Sequence, residues 1–204
     1  GNDTFLHEGG LDDADGGAGT DTADFSGYDT AVWVDLSYSG STTFEAWTRG
    51  GTTVTTGTWQ AIANLTNVEN INGSQLDDVL YGDAGNNMLN GRGGDDKIFI
   101  EAGFDTVYGG KGFDTADFSQ FQHAVWVDLD YTGSTGFEAW TRDGTTVTSG
   151  TWRALANFVS VEGVLGSNYA DQLRGDDFAN TLGGGDGNDL LASPWYLSLE
   201  KIAL

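Results

Sequence analysis

The chain has 204 residues, with 31 acidic side chains against 8 basic ones and 32 glycines. A net charge of −23 argues against nucleic acid or an anionic membrane surface as partner, and so many like charges repel in a compact body unless a hard divalent cation cancels them. There is no cysteine for a disulfide or a zinc–thiolate site, and no apolar run approaches the ~18 residues of a transmembrane helix.

Residues 1–6 (GNDTFL) fit places four to nine of a nine-residue unit. The opening at Gly1-Asn2-Asp3 falls inside that unit and lacks a Met, so the chain is expected to be a piece of a longer protein. HEGGLDDAD (7–15) and GGAGTDTAD (16–24) follow. Aspartate takes the sixth place (Asp3, Asp12, Asp21) and an apolar or small residue the eighth (Phe5, Ala14, Ala23). The rhythm then stops, and residues 25–72 form an insert rich in tryptophan and threonine. The alternation Val32-Trp33-Val34-Asp35-Leu36 predicts a half-buried strand. Gly50-Gly51 between two β-prone runs predicts a two-residue hairpin, with Trp47 opposite Val54 and Thr48 opposite Thr53. Leu65, Val68 and Ile71, spaced by three, mark a return to the regular pattern.

Residues 73–117 hold five units in succession: GSQLDDVLY, GDAGNNMLN, GRGGDDKIF, IEAGFDTVY and GGKGFDTAD. Their sixth places are Asp78, Asn87, Asp96, Asp105 and Asp114; their eighth places are Leu80, Leu89, Ile98, Val107 and Ala116. The insert then recurs at 118–165, with Asp143-Gly144 as its turn and Trp126, Trp140 and Trp152 in place of Trp33, Trp47 and Trp59. Each pair lies 93 positions apart, as do Gly16 and Gly109. Units at 166–174, 175–183 and 184–192 close the pattern with Asp171, Asn180 and Asp189. The chain is therefore expected to be one continuous solenoid of 93-residue repeats. Its tail, 193–204, contains the only proline and is read as a cap, a secretion signal or an expression scar.

The last unit of the central block fits G-G-x-G-x-D-x-U-x at every fixed place, an established signature of calcium-binding β-helices. The blocks at 1–24, 73–117 and 166–192 resemble the RTX, or haemolysin-type calcium-binding, repeats of bacterial secreted proteins. The resemblance implies an all-β fold: a calcium-bound right-handed parallel β-roll in which two units make a coil, here with two hairpin-containing inserts. Places one to six make a glycine-rich turn, and places seven to nine a short strand whose eighth residue points inward. The sixth-place carboxylates of units two apart then become neighbours, and backbone carbonyls complete the six to eight oxygens that calcium takes. The expected pairs are Asp3/Asp21, Asp78/Asp96, Asn87/Asp105, Asp96/Asp114 and Asp171/Asp189, or about five ions, with weaker sites at the neutral Asn87 and Asn180. So thin a core predicts folding coupled to calcium binding. The two inserts, separated by an odd number of half-coils, are expected to project from opposite sides of the roll; inserts on the same side would mean that they contribute coils themselves.

The tryptophans are expected to cover the inner face of the insert hairpin. The alternative is that Trp47 and Arg49, with Trp140 and Arg142, form exposed strips that contact polysaccharide or a partner. His7 and His123, the only histidines, have no partner at metal-ligand or catalytic spacing, and no nucleophile-elbow, zincin or P-loop motif occurs. The expected function is thus non-catalytic: a calcium-folded extracellular module with a structural, adhesive or surface-assembly role. The resemblance implies type I secretion and folding outside the cell. It equally fits a secretion and folding domain behind an enzyme or toxin, and the aromatic strips fit a polysaccharide-binding module. Further copies of the chain are an expected partner as well.

Overall fold

A computed structural model describes residues 1–38, 44–131 and 137–193. Residues 194–204 of the expected tail 193–204, and the insert residues 39–43 and 132–136, lie outside the described residues. Nineteen strands and no helix are found among the described residues, so no helix there is long and apolar enough to cross a membrane. The first block gives β1 (Thr4–Leu6), β2 (Asp12–Asp15) and β3 (Thr22–Asp24). The first insert gives β4 (Val32–Asp35), β5 (Ala46–Thr48), β6 (Gln60–Thr66) and β7 (Asn70–Asn72). The central block gives β8 (Val79–Tyr81), β9 (Met88–Gly93), β10 (Lys97–Phe99), β11 (Asp105–Lys111) and β12 (Thr115–Asp117). The second insert gives β13 (Val125–Asp128), β14 (Ala139–Thr141), β15 (Arg153–Val159) and β16 (Gly163–Leu165). The closing units give β17 (Gln172–Arg174), β18 (Thr181–Gly183) and β19 (Leu190–Ala192).

These strands form two sheets. One has the order β1-β3-β7-β9-β11-β15-β14-β13-β17-β19, the other β18-β16-β12-β10-β8-β4-β5-β6-β2. Through the central block successive strands alternate between the sheets, and each pairs in parallel with the strand one coil away. Ile98, for example, lies between Leu80 and Ala116. The alternation follows from the nonapeptide: three extended residues, then a turn that needs left-handed backbone at its glycines. In the unit 109–117 those are Gly110 (φ 116°) and Gly112 (φ 129°), a region that side chains strongly disfavour.

The core is a single apolar layer between the sheets. Its spine is the eighth-place residues Ala23, Leu80, Leu89, Ile98, Val107 and Ala116, all fully buried. The inserts thicken it with Phe25, Phe118, Val32, Val34, Val125, Val127 and Leu155, also fully buried. Leu65, Val68 and Ile71 are buried as their spacing predicts.

Both inserts depart from the expected hairpin. Residue 47 does not face residue 54. Instead β5 lies antiparallel between β4 and β6, with Trp47 opposite Trp33 on one side and Ala61 on the other. In the second copy β14 lies between β13 and β15, with Trp140 opposite Trp126 and Ala154. The glycine pair does turn the chain, but only its first residue is left-handed: Gly50 has φ 73° and Asp143 φ 55°, whereas Gly51 and Gly144 do not have positive φ. A type I′ hairpin needs both. Thr53 and Thr146 instead bridge in parallel to Asp77 and Ala170 in the adjacent turns. The antiparallel parts of the inserts do lie on opposite sides, β4–β6 in the nine-stranded sheet and β13–β15 in the ten-stranded one, while β7 and β16 each cross to the other sheet. The inserts do not project, however; their strands are built into the sheets, and Phe25 and Phe118 carry the coil onward by donating N–H bonds to Asn72 O and Leu165 O (2.8 Å each).

Candidate metal centre

Stacked turns line the two edges of the roll, and the sixth-place residues stand at their ends. All five expected pairs are adjacent. The backbone N–H of the earlier residue donates to Oδ1 of the residue 18 positions later: Asp3 to Asp21 (2.6 Å), Asp78 to Asp96 (2.8 Å), Asn87 to Asp105 (3.0 Å), Asp96 to Asp114 (2.9 Å) and Asp171 to Asp189 (2.9 Å). The accepting residues, Asp21, Asp96, Asp105, Asp114 and Asp189, therefore aim Oδ1 along the backbone ladder.

The second oxygen carries the chemistry. Oδ2 of Asp21, Asp96, Asp105 and Asp114 is buried and has no hydrogen-bond partner. Leaving an ionised carboxylate oxygen in this condition is costly unless a cation meets it. The place-one glycines show what lies opposite. A Cβ on Gly91 would stand 2.7 Å from Asp96 Cγ and 2.8 Å from Gly109 O, and a Cβ on Gly166 would stand 2.7 Å from Gly184 O. Carboxylate and carbonyl thus crowd the same cradle, which only glycine leaves open. This donor set of carboxylate and backbone carbonyl oxygens fits a hard cation such as calcium. Among the described residues no three carboxylate or imidazole side chains gather about one point, so the carbonyls are needed to complete any such site.

Electrostatics point the same way. Burial pushes Asp96 up to about 8, with the charges of Asp78 and Asp114 adding to it. Burial likewise pushes Asp78 and Asp105 up to about 7, and Asp171 up to about 6. Asp114 is pushed up to about 6 by burial, with the nearby charge of Glu162 contributing. These carboxylates resist ionisation when no cation is near.

The predicted site residues are not equivalent. Asp21, Asp78, Asn87, Asp96, Asp105, Asp114 and Asp171 are buried, Asp12, Asn180 and Asp189 are half-buried, and Asp3 is exposed. In Asp78 and Asp171 both oxygens already accept bonds. Oδ1 takes Val32 N–H (2.8 Å) or Val125 N–H (2.7 Å), and Oδ2 takes the N–H of Ser74 or Ser167. Asn87 spends its amide on Glu69 O (2.7 Å) and its Oδ1 on Asp83 N–H (2.9 Å). Asn180 Oδ1 accepts Asp176 N–H (2.9 Å). Asp12 is not brought beside another sixth-place residue. It faces Ala63 across the β2–β6 pair, and its Oδ2 lies 3.1 Å from Nδ1 of His7. His7 therefore does have a carboxylate partner, contrary to the expectation from spacing; it is buried and stacked on Phe25 at 4.8 Å.

The tryptophans do not face inward. Val32, Val34, Ala46 and Thr48 take the buried positions, so Trp33 and Trp47 fall on the outer face of the sheet. With Tyr38 and Trp59 they line a cleft of about 390 Å³, and Trp126, Tyr131, Trp140 and Trp152 line its counterpart of about 340 Å³. The rings are fixed in place. Trp47 Nε1–H donates to Phe44 O and Trp140 Nε1–H to Phe137 O, both at 3.1 Å. The Arg49 guanidinium lies 4.3 Å from the centre of the Trp59 ring, and that of Arg142 lies 4.2 Å from Trp152.

Sequence reasoning passed over Glu69 and Glu162. Asp21 N–H donates to Glu69 Oε2 (2.8 Å), and Asp114 N–H to Glu162 Oε2 (3.0 Å). The signal was present: Glu69 stands nine residues before Asp78, and Glu162 nine before Asp171.

The family model described as RTX calcium-binding nonapeptide repeat (four copies) matches residues 72–107, 100–117 and 165–193. No curated protein matches the chain significantly.

Proposed function

Because residues 72–117 and 165–193 are RTX calcium-binding nonapeptide repeats, we propose that this chain is a calcium-folded extracellular repeat module with a structural, adhesive or surface-assembly role and no catalysis of its own. The observation that carries the calcium part is the row of buried, partnerless Oδ2 atoms on Asp21, Asp96, Asp105 and Asp114, three of them beside a glycine cradle, at Gly16, Gly91 and Gly109. Bound calcium would supply positive charge at each turn. The chain's own residues do the rest: place-one glycines admit the carbonyls, sixth-place carboxylates provide the anionic oxygens, and eighth-place side chains close the core behind them. Coils thus become tied to one another along both edges. RTX repeats are typical of secreted bacterial proteins, which supports an extracellular setting. The same module behind an enzyme or toxin would serve as its secretion and folding domain.

Calorimetric titration of calcium into chelator-treated protein tests the reading. Uptake of several ions, about five by the pair rule, is expected together with a gain of β signal in circular dichroism. Neither heat nor spectral change on adding millimolar calcium would refute it.

The aromatic clefts favour a second reading, polysaccharide binding. Flat, fixed indole faces on an open sheet suit the apolar faces of sugar rings, and each repeat supplies one cleft. Glycan-array binding that is lost in Trp47→Ala/Trp140→Ala supports this reading; binding unaffected by the double substitution removes it.

A further inference from the structure

The inserts appear in sequence as gaps in the calcium ladder. We propose that they bridge it: Glu69 and Glu162 act as sixth-place ligands and complete two further calcium sites, Asp21/Glu69 and Asp114/Glu162. This rests on the calcium reading above.

The register places both glutamates. In the regular coils a sixth-place side chain accepts the backbone N–H of the sixth-place residue one coil earlier. Glu69 makes that same bond to Asp21, and Glu162 to Asp114, although the partners stand 48 positions apart rather than 18. The following residues confirm the alignment. Thr22 is paired with Asn70 and Thr115 with Gly163, as Lys97 is paired with Thr115 in the regular stack. Asn70 N–H donates to Asp21 O (2.9 Å) and Gly163 N–H to Asp114 O (2.8 Å), as Thr115 N–H donates to Asp96 O (2.9 Å).

The chemistry of the turn explains why glutamate stands there. A regular turn uses six residues, places one to six. The turns between β6 and β7 and between β15 and β16 use only three, 67–69 and 160–162. Such tight reversals put Asn67 (φ 50°) and Ser160 (φ 54°) in the left-handed region. The shortened backbone no longer follows the nonapeptide path, and the extra methylene of glutamate lets its carboxylate reach the same N–H. A carbonyl comes with it. Gly16 N–H donates to Thr66 O (2.9 Å) as Gly73 N–H donates to Asn90 O (2.8 Å). Asn67 O and Ser160 O then stand against Gly16 and Gly109 as Gly91 O stands against Gly73.

A second, independent observation points to a ligand. Asp21 and Asp114 are both fully buried, and Oδ2 of each has no partner. The joints on the other side of the inserts behave differently: there Val32 and Val125 take the place opposite Asp78 and Asp171, whose oxygens are all satisfied. At these four joints the two carboxylates beside a glutamate keep a spare oxygen, as Asp96 and Asp105 do elsewhere in the stack, and the two beside a valine keep none.

The test is calcium titration, by calorimetry and native mass spectrometry, of the whole chain carrying Glu69→Gln and Glu162→Gln. Glutamine retains the acceptor for the Asp21 and Asp114 N–H groups and removes only the charge. Two ions are expected to bind about tenfold more weakly or to be lost, with the β signal at saturating calcium unchanged. Glu45→Gln/Glu138→Gln is the control, since Glu45 and Glu138 also accept backbone N–H bonds, from Leu65 (2.8 Å) and Phe158 (2.9 Å), neither of which is a sixth-place residue. Its isotherm should match the parent's. An unchanged isotherm for the Glu69/Glu162 variant, or an equal loss in the control, overturns the proposal. If the double variant does not fold at saturating calcium, each single variant should weaken one ion, and a folded single variant with the parental isotherm is equally decisive against it. A parent chain that takes up no calcium would instead bring down the calcium reading itself.

Discussion

Removing calcium at two pH values separates the metal's role from that of ordinary packing. In the metal-free fold Asp78 and Asp105 sit at about 7, Asp96 at about 8, and Asp114 and Asp171 at about 6, against an ordinary value of 3.8. One pH unit of displacement is worth about 1.4 kcal/mol. Ionising Asp105 alone inside the fold therefore costs roughly 4 kcal/mol relative to the unfolded chain, a large part of the total stability of about 5–15 kcal/mol of a typical domain, and the other four carboxylates add to that cost. The sign follows from the raised values. Folded carboxylates hold their protons where unfolded ones have lost them, so the metal-free fold is best supported below the ordinary value and loses that support as pH rises from about 4 to about 8. Chelator-treated protein should give a disordered circular dichroism spectrum at pH 8 and gain β signal as the pH is lowered to 5.5. With saturating calcium the spectrum should be β-rich at both. A chelated chain that stays fully folded at pH 8, or that loses structure on acidification from pH 8 to 5.5, would refute the reasoning.

Other perturbations follow from the same geometry. Asp96 belongs to two adjacent pairs and Asp189 to one, so Asp96→Ala should remove two ions from the titration and Asp189→Ala one. Gly91→Ala would set a methyl 2.8 Å from Gly109 O and 2.7 Å from Asp96 Cγ; a loss of about 1–3 kcal/mol is expected, read as a higher calcium concentration at the folding midpoint. Phe118→Ala empties a fully buried site at the junction of block and insert and should cost about 3–5 kcal/mol in denaturant unfolding of the calcium-loaded protein, with the number of ions unchanged.

The roll was legible in sequence because its period is the physical unit. Nine residues make one turn and one strand, so the eighth-place residues had to face the core and sixth-place residues 18 apart had to meet, as Leu89 and Val107, or Asp96 and Asp114, do. The inserts were less legible because strand pairing there is non-local. Gly50-Gly51 is a sound turn signal, but β5 finds better partners on both sides in β4 and β6, and the run after the turn is left to bridge to Asp77. The outward tryptophans follow from that: once Val32 and Val34 are committed to the core, the residue between them must face solvent. Asp12 was placed correctly in the rhythm but lost its coil neighbour to the meander, which sets Ala63 beside it. Glu69 and Glu162 were hidden because their turns lack the glycines that advertise the motif, although the count of nine still ran through them.

The two 93-residue copies are alike in sequence but not in orientation. From β6 to β13 the chain changes sheet at every strand, an odd number of crossings, so the β4–β6 meander lies in one sheet and the β13–β15 meander in the other. The aromatic clefts therefore open on opposite faces of the roll. Any array that continued this repeat would display clefts alternately on its two faces, with every second copy equivalent. An object built in this way engages a surface with only half of its clefts at once and leaves the other half for a second surface or chain, as a cross-linking element requires. If the clefts bind glycans, a chain holding both should bridge glycan-coated beads into aggregates, whereas Trp47→Ala or Trp140→Ala alone should still bind single beads without bridging them. Bridging that survives either single substitution would mean that the clefts are not what joins the surfaces.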